Sequence, residues 1–445
     1  MNIRASETFG LQREGAAETI PALDGQIGRV DGPGDAAPAA RDWSPVLDRL
    51  KLSEQRRRRI AALAKLHGTS FRTELLAADF IDERHVNGAL ADELGIAQLD
   101  RIDAASLVMR DADCLALLGR QGGSHPAMIR GLDGDTALVI SPDRAGPRGL
   151  ARLLARAPHL RKRIRAASAI EIRRALLERA RDVLALRAVH GLASRFPDLS
   201  ARIVASFWQG LVVGVGIVGL PGGLWLVPNV TIAALHACFS FFFLACVSLR
   251  FAALKDAAPL TRTPIRAFQP ADLPTYSVLV ALYKEAEIVP ELLVALGKLQ
   301  WPRSKLEIKL VCEADDHQTL AAIRTQPLKP FVEIIEVPPS LPRTKPKALT
   351  YALPATCGEF VVLYDAEDRP HPEQLLEAWQ TFRSTGPNLA CLQAPLDIAN
   401  SHAGSISRMF AFEYSALFRG MLPFLARNDL LLPLGGTSNH FRGIM

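Results

Sequence analysis

The stretch Phe360–Pro372 reads FVVLYDAEDRPHP. Its four apolar residues and a tyrosine predict a buried strand over Phe360–Tyr364, and three carboxylates follow at once: Asp365, Glu367 and Asp368. Open α/β sheets bind ligands at the C-terminal ends of their strands. Clustered acids delivered there offer hard oxygen ligands to Mg²⁺ or Mn²⁺, and such a metal can face a diphosphate. Taken alone, the motif reads equally as a solvated acidic turn, so its surroundings decide.

Working outward, strands and helices alternate. After a proline-marked linker, Pro264–Pro274, the pattern predicts strands at Ser277–Leu282, Ile308–Cys312 and Val332–Val337. Helices are predicted at Ile288–Leu299, His317–Arg324 and Lys345–Leu353. This β-α-β-α order implies a mostly parallel sheet. Four polar segments then fall at strand C-terminal ends: Tyr283-Lys284-Glu285, Glu313-Ala314-Asp315-Asp316, the loop Pro342–Lys347 (PRTKPK), and Asp365–Asp368. Acids after the first two strands can accept hydrogen bonds from a base edge or a ribose. Lys345 and Lys347 at a helix start add to its N-terminal dipole and can hold phosphate.

The segment from about Thr275 to Arg442 resembles a family-2 glycosyltransferase of the inverting, membrane-integrated kind, similar to bacterial cellulose synthase and hyaluronan synthase. YKEAEIV stands where the family often has Tyr-Asn-Glu, and EADD where it has aspartates that contact the nucleoside. TKPKALTYAL matches the lysine-led helix, and DAED replaces the usual Asp-x-Asp. The resemblance implies a nucleotide-sugar donor, a UDP-sugar first of all, bound by Glu285, Glu313, Asp315, Asp316, Lys345, Lys347 and Asp365. It implies a Mg²⁺ or Mn²⁺ ion on Asp365, Glu367 and Asp368, and an acceptor side formed by Gly436, Thr437 and Asn439 within GGTSNHFR. The implied role is cell-surface polysaccharide synthesis. A glycine turn between two strands is the plainer reading of GGTSNHFR. Ser405–Phe424 reads either as an amphipathic segment in the membrane interface or as a helix packed on the sheet.

The family's general base lies in a Thr-Glu-Asp-like segment, and its acceptor contacts in Gln-x-x-Arg-Trp. Neither occurs among these 445 residues. Inverting transfer needs a base to deprotonate the acceptor hydroxyl. The expectation from sequence is therefore an N-terminal portion of a synthase that lacks its catalytic base. The alternative is a non-catalytic regulatory or nucleotide-binding membrane protein derived from such a transferase.

From Ile203 to Leu249 there is no Asp, Glu, Lys or Arg. A membrane helix needs about 20 apolar residues, so this stretch predicts a hairpin of two spans, Ile203–Leu220 and Val230–Leu249, turning at Leu220–Gly223 and Pro228-Asn229. Arg195 and Arg202 precede it, and Arg250, Lys255, Arg262 and Arg266 follow. The positive-inside rule then leaves both soluble parts in the cytoplasm, at the inner membrane. Met1–Asp42 has no apolar core of a signal peptide. The net charge of +6 fits juxtamembrane basic residues near anionic lipid. No aromatic-interleaved basic platform for nucleic acid is present. The six scattered cysteines form no C-x-x-C pair, which excludes a zinc ribbon or a disulfide frame.

Ahead of the hairpin, residues 1–42 read as a disordered tail and 43–198 as a small α/β module. In the module, His85–Leu94 is a predicted helix ended by Gly95, and a strand runs from Ala137. Leu150–Leu154 is a short helix, Leu160–Ile164 a strand and Ser168–Leu186 a long helix. Gly68–Gly95 weakly resembles the N-terminal domain of secretion and pilus ATPases, some of which bind cyclic di-GMP. It lacks their Arg-Leu-Gly opening, so the fold carries over, and cyclic di-GMP stays a candidate partner by resemblance only. No G-x-x-x-x-G-K-[ST] loop supports an ATPase.

Overall fold

The computed structural model describes residues 38–78, 81–118, 126–131, 134–141, 147–202, 204–255 and 264–443. The expected tail lies outside them as far as residue 37. From Pro38 the chain is helical, and Val46 and Leu47 of α1 (Pro38–Arg49) are fully buried.

The N-terminal module begins with four helices: α1, α2 (Glu54–His67), α3 (Phe71–Ala77) and α4 (Glu83–Leu94). Gly95 ends α4 at φ 63, a left-handed cap that glycine adopts without strain. A four-stranded sheet follows, in the order β1-β4-β3-β2. Its strands are β1 (Ala97–Gln98), β2 (Ala127–Arg130), β3 (Thr136–Ile140) and β4 (Ile164–Ala166), with α5 (Asp111–Leu118) and α6 (Pro147–Arg156) between them. Two expectations are corrected here. Leu160 sits in a 3-10 turn (Pro158–Lys162), so the strand starts at Ile164. The long helix is two, α7 (Ala169–Arg179) and α8 (Arg181–Arg195), separated at Ala180.

The apolar hairpin is present with a different turn. α9 (Phe207–Leu226) runs straight through Pro221, and α10 (Pro228–Lys255) starts one residue after Val227. Pro-Gly-Gly breaks a helix in water, whereas apolar helices tolerate it. Proline at the first position of α10 loses nothing, because that N–H has no intrahelical partner anyway. Both helices are long and apolar enough to cross a membrane, and neither is buried by the rest of the chain.

Beyond the hairpin lies a six-stranded sheet in the order β7-β6-β5-β8-β10-β9. β5 (Tyr276–Leu282), β6 (Leu306–Glu313), β7 (Val332–Val337) and β8 (Phe360–Tyr364) are parallel; β10 (Asn439–Arg442) runs antiparallel between β8 and β9 (Cys391–Gln393). The helices are α11 (Val289–Gly297), α12 (His317–Arg324), α13 (Lys345–Ala352) and α14 (Gln374–Thr385). α15 (Ser405–Ala416) then continues through a π-helical turn, Leu417–Met421, into α16 (Leu422–Arg427). Side chains alternate across the strands, as a two-residue period requires. Tyr276, Val278, Val280 and Leu282 enter one core with Trp301, Trp379 and Phe382. Leu279, Val311, Ile335 and Val361 enter the core on the opposite face.

Candidate functional site

The chain leaves β5 toward β6 and β7 on one side, then returns to β8 on the other, so the strand order reverses between β5 and β8. Crevices outside the carboxyl ends of strands at such a switch point are where open sheets bind ligands. Glu285 follows β5 there, and Asp365 follows β8.

Several groups shape that crevice. Lys284 takes a left-handed conformation, φ 58, which is uncommon for a residue with a side chain. Its amide is held by the Asp316 carboxylate at 2.6 Å, and the next amide, of Glu285, donates to Thr319 Oγ1 at 3.1 Å. This turn places Glu285 beside the β8 acids. Burial first, then the charges of Glu367 and Asp365, push its carboxyl above the usual carboxylate range. Its Oε2 is buried and lacks a hydrogen-bond partner. Lys345 pairs with Asp365 and donates to the Gly436 carbonyl at 2.6 Å. Arg343 pairs with Asp315 and donates to the Tyr283 hydroxyl at 3.1 Å. Tyr283 is exposed, with the Lys284 ammonium 5.4 Å from its ring centre.

Antiparallel pairing explains why GGTSNHFR adjoins this cluster. β10 pairs Asn439 with Leu363, so the residues before it run past the acidic end of β8. Ser438 N donates to Leu363 O at 2.7 Å, and Asp365 N donates to Thr437 Oγ1 at 3.1 Å. Asp368 turns inward, where one oxygen accepts from the Asp365 amide at 2.7 Å and from the Thr437 hydroxyl. Burial raises its proton affinity, and the Asp365 charge adds to that.

The expected site residues therefore divide. Glu285, Asp315, Lys345, Asp365, Glu367 and Gly436 lie at the crevice. Five are corrected. Lys347 is buried and pairs with buried Glu313 at 2.7 Å. Asp316 is buried, holds the Lys284 amide and caps α12 through Thr319 N at 3.2 Å. Asn439 is buried, its amide donating to Gly435 O at 2.5 Å. Thr437, expected on the acceptor side, accepts from the Asp365 amide and donates to Asp368, bracing the loop after β8. Asp368 shares that bracing, which leaves Asp365 and Glu367 as the outward acids of the loop. The residue that sequence reasoning passed over is Arg343. Its signal was present: a basic residue between two prolines in the loop ahead of the lysine-led helix.

The oxygen donors of this set are of the kind a divalent cation takes, whereas the group of three metal-ligating side chains within 4.8 Å of one another among the described residues is His371, Glu373 and Glu377. Asp365, Glu367 and Glu285 supply anionic oxygens only, and the partnerless Glu285 oxygen is an electrostatic cost that a cation at this point would relieve.

Residues 274–442 match the family described as glycosyltransferase like family 2. They form a family-2 glycosyltransferase domain. Among solved structures, the chain is similar to a mannosyltransferase from Pyrobaculum calidifontis in complex with GDP-Man and Mn²⁺, at 26% identity over 36% of this chain and 46% of that one, TM-score 0.29. It is similar to S. aureus TarS 1–349 in complex with UDP-GlcNAc, at 26% identity over 25% of this chain and 31% of that one, TM-score 0.22. A third is glucosyl-3-phosphoglycerate synthase from Mycobacterium tuberculosis with Mn²⁺, UDP-glucose and phosphoglyceric acid, at 18% identity over 38% of this chain and 57% of that one, TM-score 0.26. The chain spans less than two thirds of the length of each.

Proposed function

We propose that the protein is a membrane-bound glycosyltransferase that takes a nucleotide-sugar, with a UDP-sugar as the first donor to test, and contributes to cell-surface polysaccharide. The observation that carries this reading is the crevice between β5 and β8, where Asp365 pairs with Lys345 and lies, with Glu367, near enough to charge-couple to Glu285, whose buried oxygen is partnerless. Asp365 and Glu367 would hold Mg²⁺ or Mn²⁺, whose chemistry is to neutralise charge on the departing diphosphate. Lys345, at the start of α13, adds a cation on the same side. Tyr283, Asp315 and Arg343 form the polar and aromatic surface next to it, suited to a base and a ribose. Thr437 and Asp368 hold the metal loop to β10 and so keep Asp365 in place.

The membrane reading rests on α9 and α10 and on what surrounds them. The π-helical turn and α16 pack against the end of α10, where Ala253 is buried. Meanwhile Ile406, Met409, Phe410 and Phe412 of α15 are exposed. α15 therefore suits a position in the membrane interface better than one on the sheet. The positive flanks support a reading with both soluble parts in the cytoplasm.

Calorimetry with UDP in the presence and absence of Mn²⁺ tests the donor site. Binding is expected to require the metal and to be lost in Asp365→Ala. Equal affinity with and without metal would overturn the assignment.

A further inference from the structure

The two faces of the transferase sheet are covered by different parts of the chain. On one side lie α11, α12 and α14. On the other, α13 is joined by α7 and α8 of the N-terminal module. Leu279, Val311 and Ile335 of the sheet, Leu349 of α13, and Leu176 and Leu184 of the module belong to one buried cluster. α8 lies along α13, and Leu184 is the side chain it buries. α13 is only eight residues long. A helix that short is unstable alone, so its position is set by what packs on it. Its first residue is Lys345.

The module also grips the sheet ionically. Arg173 of α7 pairs with Glu333, which accepts from Lys309 Nζ at 2.5 Å; Lys309 lies 3.2 Å from Glu307. Glu307 is also hydrogen-bonded by Ser277 and by the Cys357 amide at 2.5 Å. This cluster sits near the N-terminal ends of β5, β6 and β7, away from the crevice. The module is thus fixed at two levels, by ions at one end of the strands and by apolar packing under α13.

We propose that α8 is a positioning element of the donor site. By packing on α13 it holds Lys345 against Asp365 and Gly436, so the N-terminal module sets the affinity for the donor. This rests on the donor-site reading above. Anything that displaces α8, whether a ligand of the module or a partner, then reaches the crevice through one helix–helix contact. The same α8 leads directly toward the first apolar helix, so the contact also ties the site to the membrane anchor.

The test compares two cavities in the full chain. Leu184→Ala opens one under α13; Leu90→Ala opens one in the module's separate core, which holds no residue of the transferase domain. Hydrogen exchange over Lys347–Ala352 and UDP affinity with Mn²⁺ are measured for both, at matched losses of thermal stability. Leu184→Ala is expected to speed exchange in α13 and weaken UDP by about 3- to 10-fold, the scale of coupling through packed side chains. Leu90→Ala should do neither, and Leu184→Met should largely restore both. Unchanged α13 exchange in Leu184→Ala, or equal effects from the two cavities, overturns the proposal. If Leu184→Ala fails to fold, Leu184→Val is read in the same way. If the wild-type chain binds no UDP with metal, the donor reading fails, and the exchange comparison alone still decides whether α8 positions α13.

Discussion

Lys345 and Lys347 stand two residues apart in PRTKPK, yet one faces the crevice and the other is sealed against Glu313. Residues i and i+2 of a helix do not share a face, so the separation was legible once the helix start was fixed at Lys345. What the sequence hid was which face points inward, because that depends on α8, which lies far away in the chain. The same pair gives a sharp expectation. Lys345→Met should weaken UDP by about 10- to 100-fold, as loss of a charge-assisted hydrogen bond does. It should also tighten the binding of Mn²⁺ alone, since Asp365 is released from its cation; titration followed by electron paramagnetic resonance separates the two. Weaker binding of both ligands would mean that Lys345 only braces the loop. His440 offers a test of a different kind. It is buried in β10, bonded at 2.6 Å to the Tyr276 hydroxyl, and burial pushes its imidazole down to about 3 from the ordinary 6.5. The unfolded chain then takes up a proton that the folded one refuses. Stability should fall as pH drops below about 6.5, by up to about 1.4 kcal/mol per pH unit, until about pH 3. Urea denaturation across that range should show a shallower slope in His440→Asn. An identical slope would remove His440 from the account.

Elements whose pattern is carried by local chemistry were the ones read correctly. Val332–Val337, Phe360–Tyr364 and His317–Arg324 fall where periodicity and flanking polar residues put them. The hairpin turn was misplaced because Leu-Pro-Gly-Gly breaks helices in water, and α9 has no water along its length in the membrane reading. The long helix before the hairpin split at Ala180 because α7 and α8 each serve a different neighbour: α7 inserts Arg173 into the sheet, and α8 lies on α13. A clue to this docking was present. Glu307, Lys309 and Glu333 interrupt strands that should read as continuous apolar runs when both faces are covered by helices. All three point to the face that the N-terminal module covers. Without Arg173 the buried cluster holds two glutamates against the single cation of Lys309, an uncompensated buried charge, so Arg173→Ala should cost about 3–5 kcal/mol of stability. Arg110→Ala, whose ion pair with Asp113 is exposed, should leave the denaturation midpoint unchanged. Similar small losses from both would mean that Arg173 is solvated and that the module is not clamped to the sheet.

At the scale of the whole molecule, the contact between α8 and α13 constrains topology independently of charge. α8 precedes the two apolar helices and α13 follows them, so residues on either side of the hairpin must share one compartment for the sheet to be covered. Two spans satisfy this, and one span would not. The 20 residues of α9 reach about 30 Å at 1.5 Å per residue, the thickness of a bilayer core. On the membrane reading, Val227 belongs at the far surface, and Ser200, before α9, at the near one. Single cysteines at these positions, in a background where Cys238 and Cys246 have been replaced, should behave oppositely toward a membrane-impermeant maleimide applied to spheroplasts. Val227→Cys should react in intact spheroplasts, and Ser200→Cys only after permeabilisation. A cysteine at Arg266, beyond α10, should follow Ser200→Cys. Reaction of all three only after permeabilisation would leave α9 and α10 on the cytoplasmic side, folded against a surface or a partner rather than through a bilayer. Reaction of the Arg266 cysteine in intact spheroplasts would be the harsher result. It would place the transferase domain across the membrane from α8, in conflict with the buried core that the two share.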